Sequence, residues 1–166
     1  MDLTMWMKTF RPAVEEELHH AWNTLVPQRY DGLREMMAYH LGWEGEGSGP
    51  EAQGKRIRPV LVLLAAAASG AEWRVALPAA AGVELLHNFS LIHDDIEDNS
   101  DFRRGRLTVW KKWGLAQAIN TGDAMFAMAP LAVMRLQETV SERAAFAGAR
   151  RLMQACMELT AGQYLD

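Results

Sequence analysis

Residues 84–105 read ELLHNFSLIHDDIEDNSDFRRG, and this stretch decides the fold class and the chemistry to look for. The apolar Leu91 and Ile92 precede the acids, so the segment is a helix that enters a core rather than an acidic tail. Asp94 and Asp98 stand four residues apart, which on a helix puts both carboxylates on one face, with Asp95 about 100° around the axis. Paired carboxylates suit a hard cation. Magnesium takes oxygen ligands, keeps several waters, and commonly binds through one or two carboxylates together with phosphate oxygens of a ligand. Asp94, Asp95, Glu97 and Asp98 place four acids within five positions, a repulsive arrangement unless solvent, a cation or arginines compensate it. A solvated acidic face is the plain alternative. Five residues beyond Asp98, Arg103-Arg104-Gly105 brings two planar guanidinium groups able to make paired, charge-assisted hydrogen bonds to phosphate oxygens. An exposed salt-bridge cluster would also explain these arginines, at small energetic weight.

A second basic cluster, Gly54-Lys55-Arg56-Ile57-Arg58-Pro59, follows a Gly-rich loop and opens an apolar helix, where amides and cations suit another anion. Taken alone it is equally an exposed charged turn. His87 lies seven residues before Asp94, two helical turns away on nearly the same face. A lone histidine there is more often structural than catalytic.

Ala, Leu, Met and Glu dominate the long segments on either side and no run alternates as a strand does, so the periodicity predicts an all-α bundle. Helices are expected over 11–25, 29–41, 53–69, 75–98, 114–137 and 141–163, in a single helical domain over residues 1–166. Pro27, the loop Gly45-Glu46-Gly47-Ser48-Gly49-Pro50 and Ser69-Gly70 interrupt them, and Ser141 caps the last. A net charge of -4 argues against a nucleic-acid binder. The longest uncharged apolar run, Pro59 to Ala71, has 13 residues, short of the roughly 18 of a transmembrane helix, so no span is expected. The N-terminus lacks the pattern of a secretory signal, and the single Cys156 forms no internal disulfide, which together point to the cytoplasm. Cys156 reads as a helical core residue, and Trp110 and Trp113 as packing anchors.

Four separated segments, GKRIRP at 54–59, ELLHNFSLIHDDIED at 84–98, RRG at 103–105 and GQYLD at 162–166, resemble the trans-isoprenyl diphosphate synthase family in order and spacing. DDxxD followed after four residues by RRG is far more specific than either half alone. The resemblance covers residues 50–166 strongly and implies an isoprenoid-synthase-type helical bundle, incomplete relative to the family. By that resemblance Asp94 and Asp98 bind Mg2+ held by an allylic diphosphate, Asp95 supports the electrostatics, and Arg103 contacts the same diphosphate. Lys55, Arg58, His87 and Arg104 would hold the diphosphate of isopentenyl diphosphate. Arg56 is less certain, Asp101 takes no role, and Gln163 supports the allylic site, with Asp166 ending its GQxxD segment. Leu107 stands where the pattern after RRG has Pro, while Thr108 keeps its position.

The implied reaction is head-to-tail (1′-4) chain elongation. Magnesium and arginines stabilise the departing diphosphate, the alkene of isopentenyl diphosphate attacks the allylic cation, and proton loss completes the step. Phe89, five residues before Asp94 and about 7.5 Å further down the helix, stands at the family's product-length position. Its bulk favours geranylgeranyl diphosphate, with farnesyl diphosphate the runner-up. The resemblance also suggests a homodimer. The family's second Asp-rich motif and Lys-Thr segment are not in these 166 residues, so a truncation, proteolysis or a missing partner segment is expected. The rival is a noncatalytic binding or regulatory subunit of the same fold. A terpene cyclase is the third reading, and GKRIRP with His87 and the second arginine argues against it.

Overall fold

The apolar stripes dictate the packing. In the computed structural model, which describes residues 3–165 and their side chains from residue 5, the first helix, α1, runs Leu3–Leu25 and buries Phe10, Val14, Leu18 and Ala21 along one face. It begins well before the expected residue 11. Pro12 lies inside it and withholds one backbone donor, yet Trp6 packs on Phe10 at 4.7 Å and Phe10 on Trp73 at 4.6 Å, so aromatic packing sustains the added turns.

Next come α2 (Asp31–His40), α3 (Pro50–Gln53) and α4 (Ile57–Ala68). The single helix expected over 53–69 is therefore two, parted where Gly54 (φ 77) and Arg56 (φ 51) take left-handed backbone. A 3-10 turn at Trp73–Ala76 leads into α5 (Leu77–Glu97). The hairpin β1 (Phe102–Arg103) and β2 (Arg106–Leu107) follows, then α6 (Val109–Trp113), α7 (Leu115–Met134), α8 (Leu136–Thr139) and α9 (Glu142–Leu165). The helix expected over 114–137 stops at Met134. Ser141 caps α9 as expected, its Oγ accepting from the Ala144 amide at 3.1 Å.

Helices α5 and α7 run antiparallel at the centre, each indented into the other. A Cβ on Gly82 of α5 would fall 2.3 Å from Val133 Cγ2, and one on Gly122 of α7 would fall 2.4 Å from His93 Nε2. Helices α1, α4 and α9 pack around this pair. The 25-residue segment Trp73–Glu97 contains an 18-residue window of mean hydropathy 1.4, and is by length and composition long and apolar enough to cross a membrane. Glu84 and His87 break its apolar run. In the bundle this is the central helix, its apolar side chains packed on α7, α4 and α1. Cys156 is buried in α9, and the two tryptophans pack as anticipated: Trp110 Nε1 donates to the Ser100 carbonyl at 2.8 Å, and Trp113 stands edge-on to Tyr39.

Candidate active site

The acids end α5. Asp98 is its exposed C-cap, and Asp94, one turn back, accepts from Gln163 Nε2 of α9 at 2.6 Å through Oδ1. Asp95 turns inward. It is 2% exposed and accepts from Arg103 Nε at 2.8 Å, while its Oδ2 meets no hydrogen-bond donor. Burial pushes its carboxyl above the usual carboxylate range against the opposing pull of Arg103. The helix thus sorts the motif: Asp94 and Asp98 face outward, and Asp95 anchors an arginine. No group of three or more ligating side chains gathers among the described residues.

Arg103 and Arg104 owe their placement to the hairpin. Arg104 (φ 52) and Gly105 (φ 75) form a two-residue turn of the kind that matches strand twist, and the register pairs Arg103 with Arg106 and Phe102 with Leu107. Directly paired residues share a face, so Arg103 and Arg106 turn inward while Phe102 and Leu107 are exposed. Arg106 is buried and donates to three carbonyls, Nε to Glu46 at 2.9 Å, Nη1 to Tyr39 at 2.6 Å and Nη2 to Glu44 at 2.6 Å. Its guanidinium lies 3.8 Å over the Tyr39 ring, and the Tyr39 hydroxyl donates to the Leu107 carbonyl at 2.9 Å. The hairpin is thereby pinned to the Gly-rich loop.

The basic residues converge. Arg104 Nη1 donates to the Ala52 carbonyl at 2.8 Å, and its guanidinium lies so close to Gly54 that a Cβ there would come within 2.7 Å of Arg104 Cζ. Arg58 Nη1 stands 3.3 Å from His87 Nε2. Lys55, Arg58, His87 and Arg104 line one cleft of about 140 Å3. Burial, then Arg58 and Arg104, push the His87 imidazole down to about 4, so near neutral pH it adds a polar group but no charge. Glu84 and Arg56 border the same cleft from its buried side, but Arg56 spends its donors on protein acceptors. It is 2% exposed, donates Nε to Glu15 at 2.6 Å, Nη1 to Glu84 at 2.8 Å and Nη2 to the Leu41 carbonyl at 3.0 Å, and so serves the core.

Two apolar clefts flank α5. One of about 450 Å3, between α5 and α9, has Arg58, His87 and Asp94 along a wall completed by Leu86, Leu152 and Leu159. The other, of about 240 Å3, is lined by Phe89, His93, Phe126, Met153 and Met157 among others. Phe89 packs on Phe126 with ring centres 5.1 Å apart, so it borders the second cleft and not the one that holds Asp94.

A model of the polyprenyl synthetase family matches residues 49–166, from before the basic cluster through all the acidic and arginine positions. The chain belongs to the polyprenyl synthetase family. Among members, it is 43% identical over 136 residues to (2E,6E)-farnesyl diphosphate synthase of Mycobacterium tuberculosis (strain ATCC 25618 / H37Rv), covering 81% of this chain and 37% of that protein. It is also 43% identical to geranylgeranyl diphosphate synthase of the same strain, over 90% of this chain and 41% of that protein. The crystal structure of a polyprenyl synthetase from Streptomyces coelicolor A3(2) superposes with a TM-score of 0.81 at 39% identity, covering 98% of this chain and 46% of that one. The chain thus spans less than half the length of these relatives, and its bundle is incomplete relative to theirs.

Two polar residues of this polyprenyl synthetase site escape the sequence pattern. Arg106 follows the RRG turn directly, and the signal for it is the turn itself, since strand alternation beyond Gly105 puts Arg106 on the same face as Arg103. His40, at the end of α2, lines a small cavity with Asp95 and Arg103, and no local motif marks it. Asp166 lies outside the described residues.

Proposed function

We propose that this chain carries the two diphosphate-binding faces of a short-chain prenyltransferase that condenses an allylic diphosphate with isopentenyl diphosphate, giving geranylgeranyl or farnesyl diphosphate. The observation that carries the reading is that Arg58 and His87 border both the basic cleft and the apolar cleft containing Asp94, so two anion sites share one wall.

The acidic end of α5 fits Mg2+ shared with a ligand, because Asp94 and Asp98 offer outward oxygens and too few to enclose an ion by themselves. When bound, the ion neutralises charge developing on the departing diphosphate. Gln163 orients Asp94, and Arg103, fixed through Nε by Asp95, directs its remaining nitrogens toward the allylic diphosphate. Lys55, Arg58 and Arg104 hold the second diphosphate, and the neutral His87 offers it a hydrogen bond. Leu86, Leu152 and Leu159 keep water from the allylic cation, and a growing tail that passes on into the second cleft would meet Phe89 packed on Phe126 as its floor. No side chain is assigned as the final base. Released diphosphate fits that role.

A homodimer belongs to the same reading, since α7 and α9 leave Leu131, Met134, Phe146 and Met157 exposed, and so does a cytoplasmic setting. The second reading is a noncatalytic fragment or regulatory subunit that depends on a C-terminal segment or partner chain. Incubation with Mg2+, geranyl diphosphate and isopentenyl diphosphate, followed by mass analysis, separates them. Elongated prenyl diphosphates support the synthase, binding without turnover supports the fragment, and cyclic hydrocarbons overturn both.

A further inference from the structure

Asp95 keeps one oxygen for Arg103 and encloses the other, Oδ2, without a hydrogen-bond donor. His40 Nε2 is enclosed in the same way. Buried polar atoms without partners are rare and call for a cause. Both residues line one cavity of about 20 Å3 at the junction of α2, α5 and the hairpin, together with Arg103, Arg104, Arg106 and Thr108.

The surroundings select the occupant. A volume of this size holds one water, which needs roughly 10–15 Å3 and two to four polar partners, and is too small for phosphate. Three arginines repel a cation, and the Asp95 carboxylate repels a small anion. Burial of the imidazole, then Arg104 and Arg103, push His40 down to about 3, so its ring is neutral and Nε2 can accept from water or donate to it according to tautomer.

We propose that this cavity binds one ordered water that donates to Asp95 Oδ2 and hydrogen-bonds His40 Nε2, which makes His40 a positioning residue for Asp95 and, through it, for Arg103. His40 then acts at the rear of the acidic motif, holding the carboxylate so that Nε of Arg103 stays engaged and its outer nitrogens stay aimed at the ligand. The functional half of this inference rests on the diphosphate-binding reading above. The water site does not.

A crystal structure of the full chain that resolves ordered water tests the site directly. A solvent peak within hydrogen-bonding distance of both His40 Nε2 and Asp95 Oδ2 is expected, and a cavity empty of density, or a protein donor on Oδ2, overturns it. Calorimetric titration with inorganic diphosphate and Mg2+ then tests positioning. His40→Phe should weaken binding about tenfold, the lower end of losses seen when groups behind a metal site are removed, and His40→Asn should restore most of it. Unchanged affinity in His40→Phe at an unchanged melting temperature overturns the positioning role. Failure of the wild-type chain to bind diphosphate at all would instead overturn the functional reading, while the solvent peak still decides the water site.

Discussion

Gln163 Nε2 of α9 meets Asp94 Oδ1 of α5 at 2.6 Å, joining two motifs 69 residues apart into one end of a cleft. Because the contact is exposed, its value lies in orientation rather than fold stability. Gln163→Ala should cost under about 1 kcal/mol of unfolding free energy. It should weaken Mg2+-dependent binding of an allylic diphosphate about tenfold. Paired denaturation and titration measurements check this, and a large stability loss with intact binding would reverse the assignment.

Arg56 and Arg58, two residues apart, should fail in opposite ways. Arg56→Ala leaves the buried Glu84 without its guanidinium partner and should destabilise the fold by about 3–5 kcal/mol. Arg58→Ala removes an exposed cation and should leave the melting temperature almost unchanged while losing about 1.5–3 kcal/mol of affinity for isopentenyl diphosphate. Urea denaturation with ligand titration on both variants distinguishes the two roles.

His87 ionises at about 4 in the fold and His40 at about 3, against an ordinary 6.5. The unfolded chain therefore takes up these protons first as pH falls. This contribution to stability is intact above about pH 6.5 and declines progressively toward pH 4 and 3. Melting temperatures followed from neutral to acid pH should show that decline, and His87→Asn should flatten part of it. An identical decline in the variant would mean that His87 is not the group responsible.

The division of labour between these neighbours shows what was legible in the sequence. The acidic motif could be read because a four-residue spacing places Asp94 and Asp98 on one helical face wherever the helix sits. Arg56 could not be assigned from its motif, because its burial depends on Glu15 and Glu84, 41 and 28 residues away. The hairpin was invisible for a different reason. Strands of two residues have no period to detect, and in Arg-Arg-Gly-Arg the polar residues hide an inward face. The early start of α1 also comes from tertiary packing, since Phe10, with Trp6 on it, packs against the distant Trp73.

Phe89 rests on Phe126, so shortening it should open the second cleft inward by one ring. In a full-length enzyme containing this segment, Phe89→Ala should shift the products toward longer prenyl chains, read by mass analysis. An unchanged distribution would remove Phe89 as the floor.

In the proposed function one chain holds two diphosphate sites, of which only the site at Asp94 and Asp98 depends on a metal. Calorimetric titration of the chain with isopentenyl diphosphate and with geranyl diphosphate, each in Mg2+ and in EDTA, measures this directly. Isopentenyl diphosphate should bind equally in both conditions, whereas geranyl diphosphate should bind only with Mg2+ and lose that binding in Asp94→Ala. Geranyl diphosphate binding that is indifferent to EDTA and to Asp94→Ala would mean that Asp94 and Asp98 form no metal-dependent diphosphate site.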